Sequence, residues 1–175
     1  ILGKKARFHV QVVGKTVVEM VGEATEIDAL PYDIVVKIPA NEAGLVAIKQ
    51  IKKKNIQILA TAIYSTQQGF MAALSGADYL APYVNRMDMM GANGINVVAE
   101  LQSLIAQNDL KCKVLPASFK NTLQVIEVMK LGVDAITIPV DIAVQMLTHP
   151  AIEPAIEQFN QDWKKVFGDN LSFES

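Results

Sequence analysis

Apolar residues along this chain follow two alternating rhythms. Short runs rich in Val and Ile occur at Phe8–Val13, Ile34–Ile38, Ile56–Ala62, Tyr79–Val84, Lys113–Ala117 and Ala135–Pro139. Several are apolar at nearly every position, the pattern of parallel strands covered by helices rather than of strands with one wet face. Between them, Lys15–Leu30, Glu42–Lys54, Thr66–Ser75, Gly91–Gln107 and Asn121–Lys130 carry apolar residues at spacings of three and four, the helical period. In Glu42–Lys54, Leu45, Ile48 and Ile51 share one face while Lys49, Lys52 and Lys53 fall towards another. Lys52-Lys53-Lys54 therefore reads as a solvated helix end. Gly76 and Gly132 stand where C-terminal glycine caps belong, and Asp141 where an N-cap for Ile142–Leu147 belongs. His149-Pro150 breaks the chain, and a last amphipathic helix spans about 151–167.

Strand–helix alternation predicts an α/β fold with a parallel sheet. Two architectures compete, an open doubly wound sheet and a (β/α)8 barrel. Six units of roughly 25 residues are too few for a closed barrel of about 250 residues. On pattern alone the open sheet is favoured, unless two units are missing. No linker, low-complexity tract or composition shift divides the chain, so residues 1–175 read as a single domain.

Composition narrows the function. The 175 residues are 51% hydrophobic and 19% charged, which excludes a disordered chain. Sixteen basic against eighteen acidic side chains leave a net charge of −2, which argues against a dedicated nucleic-acid or anionic-membrane binder. The apolar runs stop well short of the roughly 20 residues of a membrane helix, and no signal-peptide pattern opens the chain. Cys112 is the lone cysteine, so no internal disulfide forms and a reducing, cytoplasmic setting is expected. His9 and His149 have no ligand pattern around them, so no metal is expected. Gly91-Ala92-Asn93-Gly94 lacks the third glycine of a dinucleotide loop. Met87, Met89 and Met90 read as packing or loop material.

The residue most out of place is Lys37, inside Asp33-Ile34-Val35-Val36-Lys37-Ile38-Pro39. Lysine is among the residues least often buried. Period-two alternation puts Val35 and Lys37 on one face and Ile34, Val36 and Ile38 on the other. Among apolar neighbours a lysine is disfavoured as a cation, and a neutral amine can attack a carbonyl to form a Schiff base. A salt-bridged or snorkelling lysine at an exposed strand end is the alternative. Polar residues recur at the other strand ends: Gln11, Thr61, then Tyr83 with Asn85 and Arg86, then Ser118 with Lys120. Ligands gather at the C-terminal ends of parallel strands, so five such ends point to a site. Arg86, Ser118 and Lys120 would suit a phosphate ester, because arginine grips phosphate oxygens in a bidentate fashion. Otherwise Arg86 pairs with Asp88 at the surface.

At Val35-Val36-Lys37-Ile38-Pro39, Thr61-Ala62-Ile63-Tyr64, Ala81-Pro82-Tyr83-Val84-Asn85-Arg86 and Ala117-Ser118-Phe119-Lys120, the chain resembles the transaldolase family, in particular its small branch of fructose-6-phosphate aldolases and transaldolase-like proteins. The resemblance runs from about residue 6 through Gln158-Phe159-Asn160-Gln161-Asp162-Trp163. It implies a (β/α)8 TIM barrel of class I aldolase type, of which this chain covers about six βα units, from the third strand onward, plus a C-terminal helix. It implies that Lys37 is the Schiff-base lysine. Tyr83 would be the acid/base partner, working with a water held by Gln11 and Thr61. Arg86 and Ser118, supported by Lys120, would hold the acceptor phosphate, and Asn85 would shape the same mouth. No cofactor or metal is implied, because the iminium is itself the electron sink.

True transaldolases usually carry glutamate where Gln11 stands and phenylalanine where Tyr83 stands, so the pattern is similar to the aldolase branch. The expected reaction is reversible cleavage of fructose 6-phosphate to dihydroxyacetone and glyceraldehyde 3-phosphate. A transaldolase transferring a dihydroxyacetone unit between sugar phosphates is the alternative. A non-catalytic truncated homologue acting as an assembly module is a third reading. It applies only if the native protein begins near Ile1, since the family's first-strand aspartate and its Thr-Thr-Asn-Pro motif have no counterpart in these residues. The opening Ile1-Leu2-Gly3, without methionine, favours a portion of a longer polypeptide. Ile152, Ile156, Phe159, Trp163, Val166 and Phe167 give the last helix much apolar surface. By resemblance it reaches a neighbouring subunit in a pentamer, with rings pairing into decamers; the alternative is that it packs on its own barrel.

Overall fold

The computed structural model describes residues 6–174. The chain divides into two compact units, residues 1–139 and 140–175. In the first, five parallel strands pair in sequential order to form one open sheet. They are β1 (Arg7–Gln11), β2 (Asp33–Pro39), β3 (Ile58–Ile63), β4 (Tyr79–Pro82) and β5 (Lys113–Val114). Helices α1 (Val17–Asp28), α2 (Glu42–Lys52) and α3 (Thr66–Leu74) follow β1, β2 and β3. After β4 come α4 (Val84–Met89) and α5 (Gly94–Gln107), and after β5 comes α6 (Thr122–Met129).

Alternation within the strands separates two surfaces. Val35, Leu59, Ala81 and Leu115 form one buried cluster, with Tyr79 packed against it. Ile34, Val36, Ile38, Ile58 and Ala60 are buried from the other side of the same strands. A strand step moves Val35 to Lys37, Leu59 to Thr61 and Ala81 to Tyr83. These three polar side chains therefore form the next layer towards the C-terminal ends, as in barrel cores built from stacked layers.

The helices start where side-chain caps permit. Thr16, Asn41, Ser65, Asn93 and Asn121 each accept a hydrogen bond from the backbone N–H three residues on. Gly44 has a tighter duty. A Cβ there would lie 1.8 Å from the Pro39 carbonyl oxygen, so α2 can sit directly on the end of β2, two residues beyond Lys37, only with glycine at that position. Gly76 and Gly132 adopt φ of 101° and 71°, as helix-terminating glycines do.

Several features differ from expectation. Among the described residues Ala135–Pro139 forms no strand ladder. Its regular contact is one hydrogen bond from Thr137 N to Pro116 O at 3.0 Å. The fifth strand is shorter than Lys113–Ala117, with a regular ladder to β4 over Lys113–Val114. Beyond it the pairing continues as single bonds, Leu115 N to Leu80 O and Ala117 N to Pro82 O. The helix expected over Gly91–Gln107 is one helix that begins at Gly94, and the unforeseen short helix α4 precedes it. Lys52 is not a solvated helix end, since its Nζ grips both carboxylate oxygens of Asp78 at 2.9 and 2.8 Å. That carboxylate also accepts from Ile58 N, pinning the start of β3.

The second unit holds α7 (Val140–Leu147) and α8 (Ile152–Phe167). Asp141 lies in the first turn of α7 rather than at its N-cap, where its charge still complements the helix dipole. In α8 the Trp163 and Phe167 rings stack at 4.3 Å, and Trp163 Nε1 donates to Asn170 O. No helix among the described residues is long and apolar enough to cross a membrane.

Candidate active site

A cavity of about 420 Å³ opens at the C-terminal ends of the strands in the first unit. Lys37, Tyr83, Asn85, Arg86, Met89, Ser118 and Lys120 all contribute to its wall. Six residues singled out from sequence thus meet in one space of a size suited to a small ligand.

Lys37 reaches this cavity half-buried, from the inner face of β2. Among the described residues no carboxylate forms an ion pair with it. The salt-bridged alternative therefore does not describe it. Gln11 is its register partner on β1, and the Lys37 carbonyl accepts from Val12 N at 3.1 Å. Gln11 lies on the same sheet face as Lys37 but is exposed on the edge strand and is not part of the cavity wall. One layer below, His9 pairs with Val35 and packs its ring 6.0 Å from that of Tyr79. Desolvation first, and then the positive charges of Lys37 and Arg7, push His9 below the ordinary imidazole range, against an opposing pull from Asp33.

Thr61 is fully buried, and its Oγ1 lies 2.8 Å from the Tyr83 hydroxyl. Tyr83 is fixed at its backbone as well, since its N–H donates to Ile63 O at 3.0 Å. The chain then turns directly into α4, which carries Asn85 and Arg86. The first turn of α4 is tied to the loop after β5 by Val84 N to Ala117 O and Asn85 N to Ser118 O, at 3.0 and 2.8 Å. Ser118 holds φ at 65°, a left-handed conformation unusual for a residue with a Cβ, so the surrounding bonds must hold it there. Phe119, completely buried, anchors the same loop. Burying that ring stabilises the loop by about 2–3 kcal/mol.

Arg86 does not pair with Asp88. Its guanidinium lies 4.6 Å over the centre of the Tyr83 ring, and Nη1 donates to the Tyr64 hydroxyl at 3.2 Å. The hydrogen bond to Tyr64, and then its electrostatic attraction, raise Arg86 further above the ordinary guanidinium value. The Tyr64 and Tyr83 rings meet edge to face at 5.6 Å. Asp88 is instead taken by Gln124 Nε2 at 2.7 Å and by Gly94 N at 2.8 Å.

Tyr64 and Gln124 were given no role from sequence, yet both shape this site. Gln124 is buried and spends its amide on three groups: it donates to Asp88 and to Asn85 Oδ1, and accepts from Lys120 N. Gln68 does the same after β3, accepting from Tyr64 N and donating to the Ala40 and Ala62 carbonyls. A legible signal existed. Ser65-Thr66-Gln67-Gln68 and Asn121-Thr122-Leu123-Gln124 both place glutamine three residues after a capping side chain, as in a capping box.

These features define a class: an α/β chain of sequential parallel strands, with a lysine and a phenol on the inner face of their C-terminal ends and cationic side chains at the rim. The family model for transaldolase/fructose-6-phosphate aldolase matches residues 1–174, and the chain belongs to that family. The family's fold is a TIM barrel, and the open five-stranded parallel sheet with its alternating helices is a portion of one. Membership supports aldolase- or transaldolase-type chemistry on sugar phosphates in general terms.

Proposed function

We propose that the protein is a class I aldolase that reversibly cleaves fructose 6-phosphate to dihydroxyacetone and glyceraldehyde 3-phosphate, with Lys37 as the Schiff-base residue. The observation that carries this reading is the cavity in which Lys37, Tyr83, Arg86, Ser118 and Lys120 meet, with no carboxylate among the described residues paired to the lysine.

In this mechanism Lys37 Nζ, in its neutral form, adds to the donor ketone to give a carbinolamine, and loss of water gives the iminium. The iminium accepts the electron pair released when the bond between the third and fourth carbons breaks. Tyr83 accepts the proton from the hydroxyl on the fourth carbon as that oxygen becomes the aldehyde, and passes its own phenolic proton to water in the same step. The 2.8 Å contact with Thr61 orients the phenol for that transfer. A water held by Gln11 and Thr61 carries the proton onward. The remaining enamine is reprotonated, and hydrolysis of the iminium frees dihydroxyacetone and Lys37. Arg86, Ser118 and Lys120 hold the phosphate of the acceptor half, and Asn85 shapes the mouth beside them. The cations supply charge-assisted hydrogen bonds and the fixed Ser118 loop supplies direction.

A transaldolase would share every step up to the enamine and differ in passing the three-carbon unit to a second aldehyde. Fructose 6-phosphate is supplied with and without erythrose 4-phosphate, and free dihydroxyacetone is measured. Release without the acceptor supports the aldolase. Product that forms only with erythrose 4-phosphate overturns it in favour of transfer. Assembly into a pentamer or decamer is part of the same proposal, and light scattering that finds a monomer contradicts it.

A further inference from the structure

We propose that Tyr64 is a positioning residue that holds Arg86 for an acceptor phosphate, so that its hydroxyl sets how strongly the site prefers phosphorylated over non-phosphorylated aldehydes. The proposal rests on the aldolase reading for its substrate, but its physical core is an anion site of defined geometry.

Arg86 stands exposed on a six-residue helix, and a long side chain in that position ordinarily samples many rotamers. Here two tyrosines restrain it. The Tyr83 ring lies under the guanidinium and the Tyr64 oxygen takes one hydrogen of Nη1. Four N–H donors remain for an anion, and the Tyr64 hydroxyl keeps its own proton free to donate. Arg86 also forms the boundary between two spaces. On one side is the cavity with Lys37; on the other is an apolar recess of about 370 Å³, lined by Tyr64, Met89 and Met90. Without the Tyr64 hydroxyl, nothing polar in that recess holds the guanidinium at the boundary.

Tyr64 is itself rigidly placed, and the manner of its placement locates it on the rim. Ala62 and Ser118 both adopt left-handed φ, 56° and 65°, three residues before a capping side chain. In each loop the glutamine three residues after the cap accepts from the residue just before the cap, which is Tyr64 in one and Lys120 in the other. The loops after β3 and β5 are thus built alike. Tyr64 and Lys120 hold equivalent places in the loops that follow the strands on either side of β4, whose own following helix carries Arg86. A phenol occupies one of these places and an ammonium the other, both directed to the same phosphate function.

Removing the hydroxyl while keeping the ring isolates this role, because Tyr64→Phe preserves the packing against Tyr83. Immobilising one flexible side chain is worth roughly a three- to tenfold change in affinity. The first measurement is calorimetric titration of inorganic phosphate into the protein and into Tyr64→Phe, Arg86→Ala and the double variant. The expected result is a three- to tenfold weakening in Tyr64→Phe, with no further loss from that change once Arg86 is alanine. Equal phosphate affinity in the protein and Tyr64→Phe, undetectable phosphate binding to the protein itself, or additive losses in the double variant overturns the proposal. The second is aldol addition of dihydroxyacetone to glyceraldehyde 3-phosphate and to glyceraldehyde. Tyr64→Phe is expected to raise KM for the phosphorylated aldehyde alone and to leave kcat unchanged. Equal effects on both aldehydes overturn it. Phosphate binding that depends on Tyr64, in a protein with no aldol turnover, would sink the aldolase reading and leave this inference standing.

Discussion

The Tyr83 hydroxyl and Thr61 Oγ1 lie 2.8 Å apart, Thr61 within β3 and Tyr83 just past the end of the neighbouring β4, on the sheet face that carries Lys37. Thr61 is fully buried, so its hydroxyl has few other uses than to fix the direction of the phenol. In the proposed mechanism that direction is catalytic. General acid–base groups contribute typically about 10²- to 10⁴-fold, and Tyr83→Phe should lower kcat for fructose 6-phosphate cleavage within that range. Thr61→Val should cause a smaller fall and Thr61→Ser should restore most of it. Steady-state kinetics check this, and a wild-type kcat in Tyr83→Phe contradicts the assignment.

Gln124 binds the loop after β5 to α4 through Lys120 N, Asn85 and Asp88. Gln124 is buried, Asn85 half-buried, and Asp88 and Lys120 exposed, so Gln124→Leu removes three hydrogen bonds that tie the loop to α4, at a cost of about 1–3 kcal/mol. Each kcal/mol corresponds to roughly 2–4 °C in Tm for a chain of this size. Calorimetry should show that fall, and kinetics should show a raised KM for phosphorylated substrate, because Ser118 and Lys120 lose their fixed loop.

Cys112 is buried, and burial first, with the nearby Asp78 carboxylate second, pushes its thiol up to about 12, against a lowering backbone hydrogen bond from Lys113. The thiolate is the reactive species. Cys112 should therefore resist a thiol-reactive dye in the folded protein at about pH 8 and react promptly once denaturant unfolds the chain. Fast labelling of the native state is the contrary outcome.

His9 gives a pH dependence of defined sign. Its folded value lies below the ordinary one, so over the window between them the unfolded chain binds more protons. Stability then rises with pH and is lost as pH falls through that window. Thermal unfolding between about pH 7 and about pH 5 should show a shallower decline for His9→Gln than for the parent protein. Identical slopes contradict the assignment. The effect is small, because His9 is only partly covered.

How much of this was legible depends on whether the physics is local. Lys37 stood out because a charge within an apolar strand breaks a period-two pattern, and the fold places it as that pattern requires, beside Val35 on the inner face. The strand-end polar residues followed the same logic. The helix α4 did not, since six residues starting directly at a strand end are too short for a periodic signal. Arg86 was expected either to serve phosphate or to pair with Asp88, two residues away. Its actual partner Tyr64 is 22 positions distant, which only the pairing of β3 with β4 brings close. Lys52 and Asp78, 26 positions apart, were missed for the same reason. Ala135–Pro139 has the composition of a strand but, among the described residues, makes one backbone bond to Pro116, because composition does not supply a ladder partner.

The central claim is that Lys37 forms the covalent intermediate. The direct test is to treat the protein with dihydroxyacetone and sodium borohydride, digest it and map the product by mass spectrometry. The account predicts one reduced three-carbon adduct on the peptide containing Lys37, lost in Lys37→Met. No adduct, or one on another lysine that persists in Lys37→Met, would contradict it.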